Sequence, residues 1–254
     1  MSRLTSLPVA LQQAITGRRL LKVIAGLANF DADSVERVAR AAAAGGADLI
    51  DIACDPALVE RAARASALPI CVSAVDPELF PAAVAAGATL VEIGNYDSFY
   101  PQGRVFGAEE VLALTRRTRE LLPAVVLSVT VPHTLPLDQQ EQLAIDLVAA
   151  GADLIQTEGG TSARPFSPGR LGLIEKAAPT LAAAHALSRA VAVPVLCASG
   201  LTDVTVPMAI AAGAAGVGIG SAVNRLLDEL ARVAVVRGLR QALPAALPAD
   251  ARRV

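Results

Sequence analysis

The 254-residue chain predicts an α/β fold, a single (β/α)8 TIM barrel with an extra N-terminal helix. Three observations predict it. The first is a recurring phrase: Gly46-Ala47-Asp48-Leu49-Ile50-Asp51, Gly87-Ala88-Thr89-Leu90-Val91-Glu92 and Gly151-Ala152-Asp153-Leu154-Ile155-Gln156, with a degenerate copy at Gly213-Ala214-Ala215-Gly216-Val217-Gly218. Each follows an Ala-rich helical stretch, so the Gly reads as a helix stop and the residues after it as a buried strand. The second is a set of apolar runs led by Pro or Leu-Pro at 69–74, 123–131 and 194–198, which with 21–25 brings the strands to eight. The third is helical periodicity in every interval between them. Eight buried strands alternating with helices in this length of chain match a closed parallel barrel.

In chain order, residues 4–16 form an amphipathic helix, and the segment 1–18 is expected to close the barrel bottom. The strand at 21–25 leads to a helix at 32–45. Helices at 56–67, 76–87, 107–122, 138–150, 170–191, 203–212 and 221–242 follow the remaining strands in turn. Residues 243–254 are a C-terminal tail. No Ser/Gly linker or charge block divides the chain, so 1–254 reads as one domain. A doubly wound open sheet is disfavoured because Gly26-Leu27-Ala28-Asn29-Phe30, after the first strand, lacks the dinucleotide glycine pattern.

Composition excludes several function classes. With 54% hydrophobic and 18% charged residues the chain buries a sizeable core and is not disordered. No apolar run has the length of a membrane span and no leader pattern opens the chain, so no membrane partner is expected. A net charge of −2 argues against nucleic acid. Three cysteines, an odd number in or beside apolar runs, suit a reducing compartment. Two histidines far apart, with no HxH or CxxC spacing, indicate no metal site.

Barrel enzymes often hold phosphate between the loops after strands seven and eight. Strand seven ends Cys197-Ala198-Ser199-Gly200 and strand eight ends Gly218-Ile219-Gly220-Ser221. Ser199, Gly200, Gly220 and Ser221 are therefore candidate phosphate or cofactor ligands, glycine allowing close backbone approach and serine adding a hydroxyl donor. The turn Glu158-Gly159-Gly160-Thr161-Ser162 offers further backbone donors at Gly159 and Gly160.

Polar residues inside strands need an explanation. Lys22 lies in the first strand, Asp51 in the second, Glu92 in the fourth, and Gln156, Thr157 and Glu158 in the sixth, while Ser73, Ser128 and Thr130 add hydroxyls. Lys22 and Asp51 are either a buried ion pair or a catalytic pair. Of 22 basic residues 20 are Arg, so a lysine retained inside a strand suggests chemistry that only an amine performs: imine formation, or proton transfer at a lowered pKa. Asp51 is the partner of that amine. Glu92, Glu158 and His133 are the candidate acids and bases. Six of the seven aromatics follow strands one, four and six, so Phe30, Asn95, Tyr96, Phe99, Tyr100 and Phe166 are expected in the pocket wall, on long loops at 94–107 and 159–169.

Several segments carry a resemblance: Leu21-Lys22-Val23-Ile24-Ala25-Gly26-Leu27, Gly94-Asn95-Tyr96-Asp97-Ser98-Phe99-Tyr100, Ser128-Val129-Thr130-Val131-Pro132-His133-Thr134, Gln156-Thr157-Glu158-Gly159-Gly160-Thr161-Ser162 and the stretch 195–224. They closely resemble the hypothetical chloroplast reading frame twenty-three family of algal plastids and cyanobacteria. The resemblance covers all but the last dozen residues. It implies a barrel fold and a cyanobacterial cytoplasm or plastid stroma, and no substrate. The order of the strand-seven and strand-eight pieces is also similar to that in phosphate-binding barrels, including flavin mononucleotide enzymes.

The leading expectation is an enzyme acting on a small phosphorylated metabolite, as a lyase, synthase or isomerase with Lys22 as amine nucleophile or base. The alternatives are an oxidoreductase with flavin mononucleotide (FMN) as cofactor and a non-catalytic binding or regulatory barrel. Ala-rich helix faces (41–44, 182–186, 211–215) permit close packing within the chain or in a homo-oligomer.

Overall fold

The computed structural model describes residues 2–245, and of the tail read at 243–254, residues 246–254 lie outside the described residues. Eight strands close into a parallel barrel: β1 Leu20–Gly26, β2 Leu49–Ala53, β3 Ile70–Ala74, β4 Leu90–Ile93, β5 Val126–Thr130, β6 Leu154–Gln156, β7 Val195–Ala198 and β8 Gly216–Ile219. They pair in sequence order, and β8 returns to β1 with Lys22 opposite Gly218.

Side chains alternate along every strand with period two. One set, including Leu21, Val23, Ile50, Ile52, Val72, Val91, Leu127, Val129, Ile155 and Val217, belongs to the larger core, which also holds the inner faces of the helices. The other set points into the barrel. Its lowest layer, Leu20, Leu49, Cys71, Leu90, Val126, Leu154 and Leu196, clusters with Leu7, Leu11 and Ile15. Leu11 and Ile15 belong to α1, Val9–Thr16, so the first helix packs on the N-terminal end of the strands.

The recurring Gly-Ala-Asp phrase has a structural job. Asp48 Oδ2 accepts from Leu21 N at 2.8 Å, Thr89 Oγ1 from Ile70 N at 3.3 Å, and Asp153 Oδ2 from Leu127 N at 3.0 Å. In each case the third residue of the phrase satisfies a backbone donor at the start of the preceding strand. Arg240 pairs with Asp48, and Arg3 and Arg119 with Asp153, so the buried or half-buried acids keep counter-ions.

The outer helices are α2 Ala32–Gly45, α3 Pro56–Ala65, α4 Phe80–Ala85, α5 Ala108–Leu121, α6 Leu137–Ala149, α7 Gly169–Ala190 and α8 Val206–Ala211. A single 3-10 turn, Pro77–Leu79, precedes α4. The helix expected over 221–242 is instead two, α9 Ser221–Asn224 and α10 Glu229–Ala242, because Asp228 caps a fresh N-terminus by accepting from Ala231 N. The sixth strand is also shorter than expected, leaving Thr157 and Glu158 beyond its end. The alanines read as packing faces are partly used inside the chain, with Ala41, Ala42, Ala183 and Ala184 buried.

Candidate functional site

The middle layer of the barrel interior is polar. Lys22 is only 1% exposed, and its Nζ lies 2.6 Å from Glu92 Oε2 and 3.3 Å from Asp51 Oδ2. Glu92 also accepts from Ser128 Oγ at 2.7 Å and from Gln156 Nε2 at 2.7 Å. Asp51 accepts from Ser73 Oγ at 2.6 Å. Asn95, in the left-handed conformation at φ 62°, directs Nδ2 to Ser73 Oγ at 3.1 Å and Glu92 Oε1 at 3.2 Å, and so caps the network at the C-terminal end of the strands.

This geometry corrects one expectation. Burial opposes a charge on Lys22, but the facing carboxylates of Glu92 and Asp51 outweigh it and raise its pKa. That direction is opposite to the lowered pKa that a free catalytic amine requires. Burial is also the largest influence on Asp51; with the charge of Glu92 it outweighs Lys22 and pushes the carboxyl up to about 6.

A second cluster stands at the mouth. Glu158, 3% exposed, accepts through Oε1 from the His133 backbone N at 3.1 Å, pairs with His133 Nδ1 at 3.0 Å and accepts from the Tyr100 hydroxyl. The Tyr100 and His133 rings meet edge to face at 5.0 Å. Asp97, at the far side, accepts from Ser199 Oγ through Oδ2 at 2.8 Å. Burial raises the Glu158 pKa, opposed by its bonds from His133 and Tyr100. Burial disfavours a charged His133, but the bond and charge of Glu158, with Asp97, raise its pKa overall.

The β7 and β8 ends contribute unequally to the mouth of the barrel. Ser199 and Gly220 line a cleft of about 120 Å³ together with Asp97, Glu158 and Asn224. Ser199 adopts φ 76°, rare for a serine, and is pinned there by its bond to Asp97 and by Thr161 N, which donates to its Oγ at 2.8 Å. Gly200, Gly159 and Gly160 do not line the cleft; they let loops pass. A Cβ on Gly160 would stand 2.2 Å from Ser199 O, and one on Gly159 would stand 3.1 Å from His133 Cβ. Ser221 opens α9 without lining the cleft.

The aromatic wall is only partly where it was expected. Phe166 is 98% exposed, because Glu175 accepts from the backbone N–H of Phe166 and Ser167 and turns that loop outward. Tyr96 is buried in the core against Phe106, ring centroids 4.5 Å apart. Phe30, 63% exposed, and Phe99 line a neighbouring apolar hollow of about 220 Å³ with Leu27, Cys54 and Leu79. Only Tyr100 and Asn95 touch the polar clusters. Sequence reading missed Asp97 and Asn224. Asn224 donates to Ile24 O at 2.6 Å, while its buried Oδ1 has no partner among the described residues. Both sit inside segments already marked, one turn from a strand end, and that position was the available signal.

The sequence matches the family described as "Protein of unknown function (DUF561)" over residues 6–247. It is 46% identical over 210 residues to "Uncharacterized protein ycf23" of Cyanophora paradoxa, covering 82% of this chain and 86% of that protein. The protein of the same description from Porphyra purpurea is 39% identical over 208 residues, covering 82% and 78%. Among solved structures, (S)-3-O-geranylgeranylglyceryl phosphate synthase from Thermoplasma acidophilum, in complex with sn-glycerol-1-phosphate, superposes with a TM-score of 0.61 at 14% identity, covering 93% of this chain and 99% of that one. Thiamine phosphate pyrophosphorylase from Pyrococcus furiosus gives 0.58 at 16% identity, covering 89% and 96%. At these identities the structures share the barrel fold alone. No helix among the described residues is long and apolar enough to cross a membrane.

Proposed function

The chain belongs to the DUF561 family and is related to the algal ycf23 proteins, and we propose that it is a barrel enzyme acting on a small phosphorylated metabolite in a plastid stroma or cyanobacterial cytoplasm. One observation carries the reading: a single cleft at the C-terminal ends of the strands is lined by Ser199 and Gly220, from the β7 and β8 ends, and by the carboxylates of Asp97 and Glu158. Phosphate oxygens meet the backbone around Gly220, where no side chain intervenes, and the rest of the substrate extends toward the carboxylates. The substrate of one structural neighbour, sn-glycerol-1-phosphate, is a ligand of the same kind. The chemistry is of the lyase, synthase or isomerase type. It belongs to the mouth, and Lys22 organises the charged layer beneath. Small size favours this reading over FMN: about 120 Å³ is below the roughly 300–1,000 Å³ of pockets that enclose drug-sized ligands.

Calorimetric titration with inorganic phosphate and with three-carbon phosphate esters tests the reading. Saturable binding to the wild type, weakened in Gly220→Ala, is the expected result. A methyl group on Gly220 meets Ile24 O only at 3.7 Å, so that variant keeps its fold while obstructing the approach of an anion. Absence of binding by any phosphate compound removes the proposal, and a yellow complex with added FMN transfers the site to a flavin.

A further inference from the structure

Among the described residues, two groups of side chains have the composition of a cation site, and one of them already contains a cation. Asp51, Cys71 and Glu92 surround the barrel interior, where the Lys22 ammonium sits between the two carboxylates at 3.3 and 2.6 Å. Asp97, His133 and Glu158 converge at the mouth, one ligand atom from each lying within 4.8 Å of the others. Among the described residues no lysine or arginine bridges Asp97 or Glu158.

The hydrogen bonding of the two mouth carboxylates is divided in the same way. Glu158 uses Oε1 for Tyr100 and His133, and its buried Oε2 has no partner among the described residues. Asp97 uses Oδ2 for Ser199, and its buried Oδ1 likewise has none. An unpaired buried carboxylate oxygen costs free energy comparable to a lost charged hydrogen bond, and here two occur in one cluster beside an imidazole. One oxygen of each acid is fixed by a neighbour while the other is left for a ligand, and the His133 Nδ1 contact with Glu158 Oε1 is the one that an ion would replace. That is how outer partners orient the ligands of a metal.

We propose that Asp97, His133 and Glu158 bind a divalent transition-metal ion of the manganese or zinc kind. One imidazole and two carboxylates combine the ligand preferences of those ions and suit magnesium or calcium less. Three protein ligands leave open positions, and Asp97 and Glu158 both line the cleft, so the open side faces the space assigned to substrate. Loops after β4, β5 and β6 each supply one ligand, and these strands are neighbours in the barrel. The site shares the cleft of the phosphate reading, but the ion is bound by protein groups alone. The two ideas therefore fail separately.

The test is titration of the chelator-stripped full chain with Mn²⁺ and, separately, Zn²⁺, in phosphate-free buffer. Calorimetry follows both ions, and loss of the free-ion paramagnetic signal follows manganese. One ion per chain is expected for the wild type, with affinity lowered at least about tenfold in Asp97→Asn. Glu158→Gln, whose fold is checked by circular dichroism, should lose binding as well. His185→Gln, on the outer face of α7, should leave it unchanged. No binding of either ion at millimolar concentration overturns the proposal. So does undiminished binding in a folded Asp97→Asn variant.

Discussion

Lys22 Nζ stands 2.6 Å from Glu92 Oε2 inside the barrel, one residue from β1 and the other from β4. The pair ties two strands that are not neighbours in the sheet, and Ser128, Gln156 and Asn95 fill the remaining acceptor positions of Glu92. Replacing the lysine by Met leaves two buried carboxylates without a cation. Lys22→Met should therefore cost roughly 3–5 kcal/mol, read from denaturant unfolding. Adding Asp51→Asn and Glu92→Gln should recover much of the loss, because the charges are then removed together. A cost near zero for the single variant would show that this layer is not held by its charges.

The layer holds one ammonium against two carboxylates, and burial lifts Asp51 from 3.8 to about 6. Its folded pKa is thus above its unfolded one, so the native state binds this proton more tightly. The stability it contributes is complete below pH 3.8 and is lost as the pH rises through about 6. Asp51→Asn removes that dependence. Plotted against pH, the stability of Asp51→Asn relative to wild type should climb across this interval and level off above it. Unfolding curves at a series of pH values measure it, and a flat difference contradicts the assignment.

The barrel was legible because its signal is local. Each Gly-Ala-Asp phrase contains a helix stop, a residue that satisfies the neighbouring strand and the start of a buried run, all within six positions. The polar middle layer was legible for the same reason, since Lys22, Asp51, Glu92 and Gln156 interrupt apolar runs. The mouth was not. Glu158 and His133 were marked singly, and their contact spans 25 positions. Asp97 lay among aromatics that drew attention to themselves; of the aromatics expected in the wall, Tyr96 beside it turned inward to the core and Phe166, on the other loop, outward to solvent. Whether a loop residue faces the cleft depends on how its loop is fastened, as Glu175 fastens Phe166, and no periodicity reports that.

Gly160 and Gly200 meet backbone to backbone where the β6 and β7 loops cross. A Cβ on Gly160 would fall 2.2 Å from Ser199 O and 2.7 Å from Gly200 Cα. Backbone cannot move aside as a flexible side chain does, so Gly160→Ala should displace the Ser199 turn and cost about 1–3 kcal/mol or more. Ser199 carries the bond to Asp97, so the variant should weaken phosphate binding as well as stability. Thermal unfolding together with phosphate titration checks both. A variant with wild-type stability and binding would mean that the crossing relaxes freely.

The last helix completes the ring by docking on the first helix after β1, and Gly45 of α2 makes that approach possible. A Cβ there would fall 2.4 Å from Val236 Cβ of α10. Alanine is otherwise the better helix former by about 1 kcal/mol, so helix propensity and packing oppose each other at this position. Packing should win, with Gly45→Ala destabilising by roughly 1–3 kcal/mol as the helices are pushed apart. Val236→Gly removes the obstructing Cβ, so the double variant should be more stable than Val236→Gly alone. A double-mutant cycle from urea unfolding measures this coupling. Simple additivity of the two costs would show that α10 does not depend on Gly45 for its seat.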